Sequence, residues 1–419
     1  MSIQEADGIR VHRNPRAAPS AEAYGSARAA ILNRAGFDAA EEEIGSWPGH
    51  AETPLHRLPG LAARLGVAAL HYKDEGSRFG LQSFKALGGA YAVFRLLQRT
   101  IEARNGGEGV EARSSAQGVD SRQLIEDTWR SVARTVTVTC ATDGNHGRSV
   151  AWGARLFGCR CVIYVHASVS EARCAAIAQY GAEVIRVPGN YDDSVRHAAN
   201  EARNRGWTVV SDTSYDGYLE VPVDVMHGYG AMSREIVRAM TDEPPTHVFV
   251  QAGVGALAAS VCAAFWLAWE ARRPRVVIVE PTQADCHFQS GLAGHPVVVK
   301  GDLNTVMAGL ACGEVSPLAW EIVDAGASAY VVVDDRFALD AMRALASPAP
   351  GDPAIVAGET GASGLAALLA ADGHEEIRRA LDLGAQSRVL LIGSEGATDP
   401  ELYRRIVTNA APTHMGIAP

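Results

Sequence analysis

The chain has 419 residues, 38 Lys+Arg against 48 Asp+Glu, a formal net charge of −10 and 47% hydrophobic residues. That mix excludes a disordered or fibrous chain and predicts a globular protein of two or three domains. The acidic balance argues against a nucleic-acid partner, and no apolar run approaches the ~18 residues that would argue for a membrane protein.

The polar, acidic start Met1-Ser2-Ile3-Gln4-Glu5-Ala6-Asp7 does not read as a signal peptide. The seven scattered cysteines read as reduced thiols, so a cytoplasmic location is expected. Residues 1–50 are polar and Ala-rich with weak periodicity, and the first ordered unit is expected after the turn at Thr53-Pro54-Leu55. From Arg134 onward, short β-branched strands alternate with helices. Strands are predicted over 134–140, 160–166, 183–187, 207–210, 248–250, 275–279, 329–333 and 388–392. Helices are predicted over 147–157, 170–180 with Ser170 as N-cap, 192–204 and 255–271. Residues 105–122, rich in Gly, Ser and charge, read as a mobile surface insertion. The alternation predicts an α/β fold of mostly parallel sheets with helices on both faces, in two domains.

The 42 glycines are the unusual number, against a common share of about 7%. Many fall where a strand ends and a helix begins: Asp143-Gly144-Asn145-His146-Gly147, Gly253-Val254-Gly255-Ala256-Leu257, Gly358 to Gly364, and Gly393-Ser394-Glu395-Gly396. Ligands of open α/β sheets bind at the carboxyl ends of strands. Glycine lets the backbone come close there, and a helix N-terminus favours an anion. The Gly253 loop is neither GxGxxG nor a P-loop, so a compact phosphate is expected rather than a dinucleotide or ATP.

Lys85 opens a helix of small residues. An apolar surrounding and the positive end of the helix dipole both disfavour an ammonium, so a lowered pKa and a Schiff-base role are expected.

Ser83-Phe84-Lys85 before Gly88-Gly89-Ala90, with Gly144-Asn145-His146-Gly147 further on, resembles the fold type II (tryptophan synthase β-like) family of pyridoxal-phosphate (PLP) enzymes. Longer segments are similar to the diaminopropionate ammonia-lyases within it. These are Arg78-Phe79-Gly80-Leu81, Ala141 to Arg148, Ser211-Asp212-Thr213, Met226-His227-Gly228-Tyr229, Gly358 to Gly364 and Ser394 to Pro400. Asp143 is the discriminating residue, since general dehydratases of the fold tend to carry Ser there.

The resemblance implies two domains, each a twisted, mostly parallel sheet flanked by helices. The larger, PLP-binding one comprises residues 1–95 plus 236–419, and the smaller, mobile one residues 96–235. It implies that Lys85 carries PLP as a Schiff base and that Gly253, Val254, Gly255, Ala256 and Leu257 cradle the phosphate. Asn145 meets the cofactor's ring oxygen and Ser394 its pyridine nitrogen. The implied reaction is α,β-elimination of D- or L-2,3-diaminopropionate to pyruvate and two ammonia. Lys85, Asp143 and Asp212 are the implied catalytic residues, with Ser83, Thr142, Asp143, His146 and Asp212 binding substrate. Two acids suit a substrate with a second ammonium, which serine and threonine lack. The alternative is a serine/threonine dehydratase or β-replacement enzyme of the same fold. The implied partners are an amino acid and, in a homodimer, a second copy.

Overall fold

A computed structural model describes residues 3–105, 118–142, 144–167, 169–189 and 191–408. In chain order the strands are β1 (Gln4–Ala6), β2 (Ile9–Arg13), β3 (Leu55–Arg57), β4 (Ala69–Asp74), β5 (Thr137–Ala141), β6 (Arg160–His166), β7 (Glu183–Val187), β8 (Thr208–Val209), β9 (His247–Gln251), β10 (Arg275–Pro281), β11 (Ala327–Val333) and β12 (Arg388–Gly393). They form an eight-stranded sheet, β1-β2-β11-β10-β9-β12-β4-β3, and a four-stranded sheet, β7-β6-β5-β8. The small sheet is parallel throughout. The large one is parallel from β11 to β4, with antiparallel strands at its edges.

The central strands bury every residue of HVFVQ in β9 and nearly all of β10 and β12. Such runs are apolar on both faces because helices cover both. Val248 and Val250 face one cluster with the helices Lys85–Asn105, Glu220–Ala239 and Ala256–Trp269. Phe249 faces the other, with the helices Asp335–Ala346 and Ser363–Ala371. The Lys85–Asn105 and Glu220–Ala239 helices cross where both carry glycine. A Cβ on Gly88 would lie 2.3 Å from the Tyr229 ring, and one on Gly228 would lie 2.6 Å from the Leu87 carbonyl.

Residues 1–50 are more ordered than their periodicity predicts. β2 turns Ile9 and Val11 inward and pairs antiparallel with β11. Asn33 caps the Arg34–Gly45 helix by accepting from Gly36 N–H at 2.9 Å. A five-residue strand is too short to show a period. Within the expected insertion, residues 118–122 are packed: Val119 and Ser121 are buried, Gln98 donates to the Val119 carbonyl at 2.7 Å, and Asp120 caps the helix that follows. Val119 and Ser121 are therefore core contacts rather than surface positions. Residues 106–117 of the insertion lie outside the described residues.

β4 escapes sequence reading because its end carries Lys73, an ammonium that is 1% exposed. Glu235 compensates it, accepting from Lys73 Nζ at 2.5 Å and from both terminal nitrogens of Arg78 at 2.7 and 2.8 Å. Glu75 completes the cluster, accepting from Arg78 and from Thr53 Oγ1. Two cations and two anions, all buried, thereby fix the turn over Glu75–Gly80 that leads into Lys85.

Three buried histidines make the fold sensitive to acid. Burial holds the His227, His247 and His287 imidazoles at about 4, from an ordinary 6.5. The unfolded chain therefore binds more protons between those values, and folding stability is lost as pH falls from 6.5 toward 4. The expected loss is on the order of 3 kcal/mol for each imidazole that must charge. Denaturant midpoints that stay level from pH 6.5 to 4.5 would refute this.

Candidate active site

The order β9-β12-β4 brings together three segments far apart in sequence. The Gly253 loop follows β9, Ser394 follows β12, and the turn to Lys85 follows β4. From the small sheet, β5 leads to Thr142 and Asn145, and the segment after β8 leads to Asp212. These segments line one cavity of about 740 Å³. Every described residue expected at the site lines it except Gly255, which caps the helix behind the loop. Asp143 lies outside the described residues. A separate crevice of about 800 Å³ opens at the other ends of the strands, where Arg13, Arg275 and Arg388 already pair with Asp382 and Glu243.

Lys85 Nζ lies directly on Asp212 Oδ2, and Tyr229 donates to the same oxygen at 3.4 Å. Burial alone lowers an amine's pKa, as expected from sequence, but here the adjacent Asp212 carboxylate outweighs it and raises the lysine above its ordinary value. The expectation of a lowered pKa is thus corrected for this state of the site. Asp212 is shifted the opposite way: burial would raise it, but Lys85 and His146 hold it well below the usual carboxylate range.

Two positive-φ glycines shape the loop after β9, Gly253 at 56° and Gly255 at 99°. A Cβ on Gly255 would come within 2.6 Å of the His287 ring. The Ala256–Trp269 helix begins there, and the first turn of a helix leaves its N–H groups without intrahelical acceptors. Ala256, the first residue of that helix, borders the cavity and is 1% exposed.

Ser394 is buried beside Gln251, whose amide nitrogen donates to Ser394 Oγ at 2.5 Å. The same nitrogen donates to the Thr360 and Ile392 carbonyls, which can act only as acceptors and so fix the amide's orientation. Ser394 Oγ is therefore an acceptor from Gln251, leaving its O–H proton to donate elsewhere. Asn145 donates to Glu395 Oε2 at 2.5 Å and accepts from Arg148 at 3.1 Å. Burial raises the pKa of Glu395 and pushes that of Glu359, which also lines the cavity, to about 7.

Thr142 Oγ1 accepts from Gly144 N–H and Gly147 N–H, both at 3.1 Å, and so satisfies an N–H in the first turn of the Asn145–Phe157 helix. His146 Nε2 bonds the Val210 carbonyl at 2.8 Å, tying that helix to the segment between β8 and Asp212. Ser83 Oγ accepts from Lys85 N–H at 3.3 Å. Sequence reasoning missed Gln251, Glu395 and Tyr229. A glutamine closing an apolar strand, and a tyrosine next to a glycine at a helix crossing, were the signals on offer.

Donors, glycines and lysine fit a phosphorylated aromatic aldehyde. The glycine loop opens a helix for the phosphate, Ser394 offers a donor for a ring nitrogen, and Lys85 supplies the amine. The pyridoxal-phosphate dependent enzyme family pattern matches residues 47–395. Diaminopropionate ammonia-lyase of Escherichia coli K12 is 40% identical over 86% of this chain and 88% of its own length. The Salmonella typhimurium protein of that name is also 40% identical, over 86% and 89%. The crystal structure of diaminopropionate ammonia lyase from Escherichia coli in complex with D-serine superimposes with a TM-score of 0.85, at 35% identity over 97% of both chains. Threonine deaminase isoform 2 of Solanum lycopersicum shares the fold alone, with a TM-score of 0.71 at 19% identity over 98% of this chain and 100% of that one. The chain belongs to the pyridoxal-phosphate dependent enzymes of fold type II.

Proposed function

We propose that the protein catalyses the PLP-dependent elimination of 2,3-diaminopropionate, consuming water and yielding pyruvate and two ammonia. The observation that carries this is the Lys85–Asp212 pair in a cavity shared with the Gly253 loop and Ser394. The similarity to the diaminopropionate ammonia-lyases supports it. Bound PLP supplies an electron sink for the carbanion formed when the substrate loses its α-proton.

The protein's residues do the rest. Gly253 to Leu257 hold the phosphate, Asn145 the ring oxygen and Ser394 the ring nitrogen. A serine hydroxyl, unlike a carboxylate, leaves that nitrogen largely unprotonated, which suits elimination. Lys85 Nζ anchors the cofactor and takes the α-proton of the L-isomer, and Asp143 takes that of the D-isomer. Asp212, kept ionised, receives the substrate's β-ammonium as Lys85 turns to the cofactor. Ser83, Thr142 and His146 border the substrate. An attraction to a second ammonium gives diaminopropionate an advantage that serine and threonine cannot match.

Pyruvate release is expected to be much faster from diaminopropionate than from serine, and serine as the better substrate would overturn the assignment. Asp143→Asn is expected to spare turnover of the L-isomer more than that of the D-isomer; equal losses on both would refute that division. The division into residues 1–95 plus 236–419 and residues 96–235, the homodimer and the cytoplasmic location belong to the same proposal. The two separate sheets support the first, and seven free thiols support the last. Among the described residues, no helix is long and apolar enough to cross a membrane. Sedimentation at equilibrium tests the dimer.

A further inference from the structure

We propose that Tyr229 is a positioning residue for the elimination: its buried hydroxyl is the second donor that keeps the Asp212 carboxylate in place when Lys85 leaves it. This rests on the roles proposed above for Lys85 and Asp212. The segment Met226-His227-Gly228-Tyr229 lies on the Glu220–Ala239 helix, with no other part in the site. Tyr229 is 0% exposed, and its ring packs on Phe84 with centroids 4.6 Å apart. The ring also lies under the Lys85 ammonium, 5.5 Å from Nζ to its centroid.

The glycine crossing makes this placement possible. A side chain on Gly88 would occupy the space of the Tyr229 ring, and one on Gly228 would push the two backbones apart. The crossing therefore delivers a phenol to the oxygen of Asp212 that Lys85 also contacts. At 3.4 Å that bond is long while the ammonium holds the same oxygen, and it shortens once the ammonium has gone. Without Lys85, a buried carboxylate faces a desolvation penalty, and a phenolic donor offsets part of it.

Other groups face Asp212 from each neighbouring element. His146 lies on the Asn145–Phe157 helix, the Cys140 thiol on β5, and Tyr218 in the segment after β8. His146 bonds the Val210 carbonyl. Tyr218 donates to Val209 and accepts from Ser211. Tyr229 is the neutral donor aimed at the carboxylate itself.

The test isolates the step in which Lys85 lets go. In Lys85→Ala protein with 13C-labelled aspartate, the Asp212 carboxyl resonance is assigned by its loss in Asp212→Asn. Adding Tyr229→Phe is expected to raise its titration midpoint by about one pH unit. In the holoenzyme, Tyr229→Phe alone is expected to lower kcat by about 10- to 100-fold, with KM changed far less. Its acid limb is expected to move to higher pH by about one unit. A ring with only a packing role would move neither midpoint. If Tyr229→Phe melts too early to assay, 3-fluorotyrosine at the same position keeps ring and hydroxyl and donates more strongly; it should move the limb to lower pH. An unmoved Asp212 midpoint or an unmoved acid limb overturns the proposal. The carboxyl titration needs neither cofactor nor substrate. Its success with no pyruvate formed from diaminopropionate by the wild type would therefore refute the proposed reaction and leave the positioning role standing.

Discussion

Lys85→Ala is expected to leave a folded protein with no Schiff-base absorption band and a turnover reduced at least about 10³-fold. The amine is both the attachment point and the base proposed for the L-isomer, so its loss removes two functions together. Asp212 keeps Tyr229 and His146 as neighbours, and its depressed pKa moves back up because the ammonium that held it down has gone. Lys85→Arg separates charge from chemistry. The guanidinium can still pair with Asp212 but stays protonated, so it cannot link to an aldehyde. Its melting temperature is expected near wild type and its activity near that of Lys85→Ala. A Schiff-base band retained in Lys85→Ala would remove Lys85 from the attachment role.

Glu235→Ala is expected to cost about 3–5 kcal/mol of folding stability, the usual cost of stripping one partner from a buried ion cluster. Glu235 accepts from Lys73 and Arg78, and neither cation has access to water. Glu75 would remain as the single anion facing two cations. Because Arg78 sits in the turn that leads into Lys85, cofactor affinity is expected to fall alongside stability. Glu235→Gln should be milder, since the amide oxygen still accepts one bond. Denaturant unfolding checks the magnitude, and a loss under about 1 kcal/mol would show that the cluster relaxes around the gap.

The chemistry was more legible than the frame that holds it. The Gly253 loop and Ser394 stand at strand ends and Lys85 at a helix start, all with glycines nearby, a local signal that survives without any knowledge of the sheet. Strands β6 and β7 lie on their predicted spans, 160–166 and 183–187, and Ser170 caps its helix by accepting from Arg173 N–H. The misses have a common cause. β4 carries a buried lysine next to its last residue, with a partner 162 residues away, so no window around it reads as a strand. β2 belongs to the sheet through pairing with β11, and β1 through β2, a contact invisible to local periodicity. The lowered pKa expected for Lys85 failed likewise, because Asp212 reaches it from across the fold. Gln251 and Tyr229 do their work through distant partners, and their types alone announce nothing.

Strand β12 lies between β9 and β4, and it is the last of the large sheet's strands to be synthesised. Until Arg388–Gly393 slots in, the edges of β9 and β4 have no partner at this position and Ser394 has no place beside Gln251. A chain emerging from the ribosome can therefore form its four-stranded sheet early, but its cofactor pocket cannot close before residue 394 is available. Cofactor capture is then a late event in the protein's biogenesis, and chains interrupted before β12 would present two open strand edges to whatever binds exposed sheet.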